Sequence, residues 1–237
     1  MSERKLNKHL SISDNGTNVE LTWTPILLTD SKGKYIRPHT QPNTTGSHII
    51  WHHQGGRTSE DCGHWVEHNK DQLLKRHGKV HIYIWVGTCD LTHKPGKFIF
   101  LKPDQKNLVK AIKHNLNKLK ERSETGKVTV SFLQIPYYTI ENHNAIKGHK
   151  TPEQFREDDV TLKKSIDELN TYIDTSNCEQ NSSSPKFNQD MQKSRTRRGR
   201  TTYSTNFKLL TDGVHPGESL AKVWLKHIES KIARECN

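Results

Sequence analysis

The chain of 237 residues is only 30% hydrophobic, and its longest apolar stretches are strand-sized. That excludes a membrane-spanning helix, which needs roughly twenty consecutive apolar residues. Its four cysteines, Cys62, Cys89, Cys178 and Cys236, are scattered without a Cys-x-x-Cys pair. Such a pattern excludes a zinc ribbon and a disulfide scaffold and makes a reducing compartment the default. The opening Met1-Ser2-Glu3-Arg4-Lys5 is charged and no apolar segment follows it. No secretory signal is therefore expected, and an intracellular location, cytoplasmic or nuclear, is. The sequons at Asn15, Asn43 and Asn181 carry little weight in that setting. Fifteen histidines include no His-Glu-x-x-His spacing, and adjacent His52 and His53 would face opposite sides of a strand, so no metal and no cofactor is expected.

Cations, in contrast, are abundant: 37 Lys and Arg against 26 Asp and Glu leave a formal charge of +11. Much of this excess lies in mixed-sign helical stretches, where a solvated face explains it. One cluster is denser. Lys193-Ser194-Arg195-Thr196-Arg197-Arg198-Gly199-Arg200 packs five cations into eight residues. It suits RNA or another polyanion through phosphate contacts, and without interleaved aromatics it has no base-stacking platform.

Apolar runs alternate with helical periodicity, the pattern of an α/β fold with a parallel sheet covered on both faces. Residues 1–20 read as a disordered polar segment, and 21–237 as one domain. Strands are expected at Trp23 to Thr29, Ser47 to His52, Val80 to Val86 and Lys127 to Ile135. Helices are expected over 59–77, after Pro103, and near Pro152 to Ile173, where Phe155, Val160, Leu162, Ile166 and Leu169 form the buried set. Residues 177–204 read as a polar basic loop, with Ser184-Pro185-Lys186-Phe187 as a short edge strand. A last amphipathic helix starts at Pro216, a residue suited to the first helical position.

Polar turns follow three of the strands. Ser31 lies in Thr29-Asp30-Ser31, Gly55-Gly56 precede Arg57-Thr58-Ser59, and Gly87-Thr88-Cys89-Asp90 follows the third strand. Late in the chain, Asp212-Gly213-Val214-His215 sets a carboxylate three residues before an imidazole. In open α/β sheets, ligands bind at the carboxyl ends of strands. A Ser, a His and an Asp converging there suit acyl transfer.

These blocks resemble those of the SGNH (GDSL-like) hydrolases over roughly residues 22–230. The Asp-Ser and Asp-x-x-His parts match, while Thr29 replaces a glycine and Cys89 an asparagine. The resemblance implies a flavodoxin-like three-layer fold with a parallel sheet of about five strands. It implies Ser31 as nucleophile, His215 as general base and Asp212 as its orienting acid. Oxyanion donors would be the Ser31 and Gly56 amides together with Cys89, a weak donor where the family has an amide. Asp30, Gly55, Thr58, Thr88 and Asp90 would support the site, with Thr58 or Thr88 able to stand in as donor. The Asp-Ser-Lys-Gly and Gly-Thr-Cys-Asp turns also resemble SGNH-type domains of animal retroelement-derived proteins.

Two functions follow as expectations. One is a serine esterase acting on a small acyl ester, such as an O-acetyl group, through an acyl-enzyme and without a membrane partner. The other is a catalytically weakened SGNH-like module that binds RNA or another polyanion through Lys193, Arg195, Arg197, Arg198 and Arg200.

Overall fold

The computed structural model describes residues 3–11, 20–197 and 199–237. Residues 12–19, part of the segment expected to be disordered and including the sequon at Asn15, and Arg198 of the basic cluster lie outside the described residues.

The chain opens with helix α1 (Glu3–Ser11), then β1 (Thr24–Thr29), α2 (Lys32–Ile36), β2 (Ile50–His53), α3 (Ser59–His77) and β3 (Val80–Trp85). A short α4 (Thr88–Leu91) leads to β4 (Thr92–His93) and β5 (Phe100–Leu101), which pair with each other. Next come α5 (Gln105–Lys120), β6 (Val128–Phe132), α6 (Ile140–Ile146) and α7 (Arg156–Cys178). Helix α8 (Phe187–Asp190), strands β7 (Gln192–Arg197) and β8 (Arg200–Thr205) and helix α9 (Glu218–Glu235) complete it. Among the described residues, no helix is long and apolar enough to cross a membrane.

Strands β2-β1-β3-β6 form a central sheet in that order, all parallel. Helices α3, α5 and α7 pack side by side as one layer, while α1 and α2 pack against α9 in the other. This is the expected three-layer α/β fold. Strand β3 is buried along its whole length, as a central parallel strand covered on both faces must be. At its carboxyl end, Trp85 forms an aromatic cluster with Phe187 and Trp224, ring centroids 4.8 to 5.9 Å apart.

Register levels the sheet's upper edge. Thr29 pairs with both His53 and Trp85, so these three residues lie in one row across β2, β1 and β3. Ser31, Gly55 and Gly87 each stand two residues beyond that row. Chain paths diverge from the neighbouring strands β1 and β3, which makes the crevice between their carboxyl ends the switch point of the sheet.

The sheet has four strands among the described residues, one fewer than expected, because side chains serve the outer edge of β6. Asn177, from α7, accepts from the Phe132 N–H at 3.0 Å and donates to the Phe132 carbonyl at 2.7 Å. Asn170, two turns earlier, does the same for Ile135 at 2.7 and 2.9 Å. Two amides thus take the part of a neighbouring strand and close an edge that would otherwise invite pairing. Ser184, expected in an edge strand, contributes its hydroxyl to the Gln134 N–H at 2.6 Å, and Phe187 opens α8.

Other expectations change as well. Within the segment expected to be disordered, α1 forms because Leu6 finds a fully buried place against the domain. Val160 is 48% exposed, so it is absent from the buried face of α7. The 177–204 region is ordered into the end of α7, α8 and most of a β-hairpin. Pro216 precedes the last helix: it bridges Leu210, and Gly217 is the N-cap.

Candidate active site

Ser31 is the N-cap residue of α2, yet its hydroxyl makes no capping bond. The Oγ lies 2.7 Å from His215 Nε2 instead, across 184 residues of sequence. On the other side of the ring, His215 Nδ1 lies 2.9 Å from Asp212 Oδ2 and 3.1 Å from Oδ1. Nδ1 can only donate to a carboxylate, so Nε2 of the neutral ring is left as the acceptor facing the serine hydroxyl.

The Asp212 to His215 turn is self-bracing. Asp212 Oδ1 accepts from the Val214 and His215 N–H groups at 3.1 and 2.8 Å. Burial favours the neutral acid, but the His215 ring and these two amides outweigh it and hold Asp212 well below the usual carboxylate range. It stays an anion wherever the domain is folded near neutrality. Gly213 has a φ of 80°, and a Cβ there would sit 2.6 Å from the His143 backbone N. Only glycine tolerates both the left-handed backbone and this contact. Thr139 N–H donates to the Gly213 carbonyl at 3.0 Å, and His143 Nδ1–H to the Asp212 carbonyl at 2.9 Å. Loop and helix α6 are thereby clamped together.

Gly56 lies near Cys89, and its backbone N–H favours the thiolate there, though weakly beside the burial. Burial, followed by the Asp30 charge, pushes the Cys89 thiol up to about 11. It is therefore a protonated, weak donor and not a nucleophile. Its turn is held by Lys102 Nζ, which donates to the Cys89 carbonyl at 2.8 Å, and by Tyr138 Oη, which donates to the Thr88 carbonyl at 3.1 Å. Asp90 reaches across to α3 and accepts from the Ser59 N–H and hydroxyl at 2.9 and 2.7 Å, tying the third turn to the second. No atom lies within 4 Å of a Cβ placed on Gly55 or Gly56, so that side of the site is open.

Of the residues singled out in sequence, Ser31, His215 and Asp212 converge, as do Gly56 and Cys89. Asp30 forms a buried ion pair with Lys32 Nζ at 2.5 Å, and Lys32 also donates to Thr88 Oγ1 at 3.0 Å. Thr58 does not stand in as a donor, because its hydroxyl donates to Asp61 Oδ2 at 2.7 Å within the N-terminal capping box of α3. Lys193, Arg195, Arg197 and Arg200 lie on the β7–β8 hairpin.

Three residues were not foreseen. Tyr35 stacks on the His215 ring, centroids 4.3 Å apart. Its position one helical turn after Ser31 was the available signal. Lys32 and His143 carried none, since a buried lysine beside a serine and a lone histidine are read by default as surface residues.

No family model matches the sequence, and no curated protein matches it either. Solved structures do. A GDSL-like lipase from Bacteroides thetaiotaomicron superposes with a TM-score of 0.56 at 13% identity, covering 98% of each chain. A lipase/acylhydrolase from Enterococcus faecalis gives 0.53 at 16% identity over 90% of this chain and 97% of that one. Both are bacterial proteins, and the retroelement resemblance gains no support from them. The likeness is one of fold: the chain adopts the three-layer α/β fold seen in these GDSL-like lipase and acylhydrolase structures.

Proposed function

We propose that the chain is a serine esterase that removes a small acyl group, such as acetyl, from an ester. The observation that carries this reading is the 2.7 Å contact between Ser31 Oγ and His215 Nε2, with Asp212 on the far ring nitrogen.

In the reaction, His215 Nε2 takes the Ser31 proton as Oγ attacks the ester carbonyl carbon. Negative charge on the tetrahedral oxygen is received by the backbone amides of Ser31 and Gly56, with the Cys89 thiol as a weak third donor. His215 then passes its proton to the leaving alcohol, which departs and leaves the acyl group on Ser31. Water attacks that ester by the same route, His215 accepts its proton, and the acid leaves as Ser31 Oγ recovers the proton. Asp212 stabilises the imidazolium in each half and stays ionised throughout.

The test is hydrolysis of a short-chain aryl acetate and of acetylated sugars by the purified protein. Activity that falls by at least a thousandfold in both Ser31→Ala and His215→Ala supports the esterase. Activity that survives in Ser31→Ala, or none in the unaltered protein and in Cys89→Asn alike, overturns it.

A further inference from the structure

The described residues of the basic cluster form a ribbon, not a loop. Strands β7 and β8 pair antiparallel, with Lys193 opposite Ser204, Arg195 opposite Thr202 and Arg197 opposite Arg200. Residues on a strand alternate between faces, and directly opposed residues share one. Lys193, Arg195, Arg197 and Arg200 therefore lie on a single face. Ser194, Thr196, Thr201 and Tyr203 lie on the other, where the Thr196 and Thr201 hydroxyls meet at 2.9 Å. At its base the hairpin is closed by the Asn206 N–H on the Met191 carbonyl, 2.7 Å, with Met191 buried. Beyond that base nearly every residue of it is exposed. Among the described residues, no carboxylate pairs with any of the four cations.

We propose that this face binds the phosphodiester backbone of a nucleic acid. Successive cations on β7 are two residues apart, about 6.8 Å along an antiparallel strand, so they meet a polyanion whose charges are evenly spaced. Three of the four are arginines, whose paired N–H groups match phosphate oxygens. A membrane surface fits less well, because insertion needs apolar side chains beside the cations. The cationic face has none: Thr202 and Ser204 complete it, and Tyr203, 70% exposed, points to the opposite side. For the same reason contacts would go to the backbone and carry little base preference.

The experiment is a fluorescence-anisotropy titration of the whole protein with a labelled single-stranded RNA of twenty nucleotides, at several salt concentrations. Four phosphate contacts predict a log–log salt slope of roughly −3. One variant removes the charges, with Lys193, Arg195, Arg197 and Arg200 all changed to Ser. A second keeps the net charge but divides the cations two and two between the faces, through Arg195→Thr, Thr196→Arg, Arg200→Thr and Thr201→Arg. Unchanged melting temperatures establish that both variants fold. The expected result is at least tenfold weaker binding and a shallower slope in both. Affinity and slope that survive in either variant overturn the proposal, as does binding to phosphatidylserine vesicles without binding to RNA.

Discussion

The ring of Tyr35 lies nearly parallel to that of His215, with centroids 4.3 Å apart and planes 19° from parallel. Helix α2 starts at the serine and puts Tyr35 one turn along, so a single short element supplies both the hydroxyl and the surface that sets the imidazole plane. Aromatic stacking is worth about 1 kcal/mol beyond burial. Tyr35→Leu is therefore expected to lower kcat roughly fivefold to tenfold with little change in KM, while Tyr35→Phe keeps it. Steady-state kinetics of the two variants on an aryl acetate measure the difference.

Gly213→Ala meets two obstacles, a φ of 80° and a Cβ only 2.6 Å from the His143 backbone N. Strain of this kind costs about 1–3 kcal/mol and is relieved by moving the loop that carries Asp212 and His215. The expected outcome is a lower melting temperature together with a loss of activity on the order of a hundredfold, read by calorimetry and kinetics on one preparation.

In the proposed esterase reaction, Cys89 offers a weak S–H donor to the oxyanion, where an asparagine would offer an amide. A good donor there is worth about 2.7–4 kcal/mol. Cys89→Asn is expected to raise kcat by tenfold or more with KM nearly constant. A thiol reagent should leave Cys89 largely unmodified near neutrality, because its pKa is held at about 11.

Asp30 and Lys32 form a buried ion pair, their side chains 1% and 3% exposed. Removing one partner of such a pair leaves a buried charge alone, at a cost of about 3–5 kcal/mol. Lys32→Met should destabilise the domain by that order, and adding Asp30→Asn should recover much of the loss. Chemical denaturation of the two singles and the double measures this coupling.

His81 is buried in a polar cluster. Its Nε2 lies 2.7 Å from Ser131 Oγ and its Nδ1 lies 3.2 Å from Tyr83 Oη. From α9, Glu235 is at 3.7 Å and Lys231 lies over the Tyr83 ring. Burial lowers the His81 pKa to about 4; Glu235 opposes this and Lys231 adds to it. In the unfolded chain the group titrates near 6.5. Above that pH it is neutral in both states and its contribution is complete. As pH falls toward 4 only the unfolded chain takes up the proton, and stability declines by about 3 kcal/mol. Melting temperature should therefore fall between pH 6.5 and 4, with a shallower fall in His81→Asn.

By itself the sequence determined the order of the four sheet strands and of the long helices α3, α5, α7 and α9, because buried strands are rich in apolar residues and their covering helices must be amphipathic. It also marked Ser31, Gly56, Cys89, Asp212 and His215, since each sits at a turn that interrupts such a pattern. It did not determine that Asn170 and Asn177 would replace an edge strand, because an amide side chain mimics a peptide only when a helix is docked beside the unpaired edge. Nor did it determine that Asp30 would pair with a buried Lys32, that Thr58 would be committed to Asp61, or that four cations would share one face of a hairpin. Those outcomes rest on register and on which hydrogen-bond partner is nearest in space. The tertiary structure alone decided them, because contacts between residues distant in sequence are set only once the layers pack.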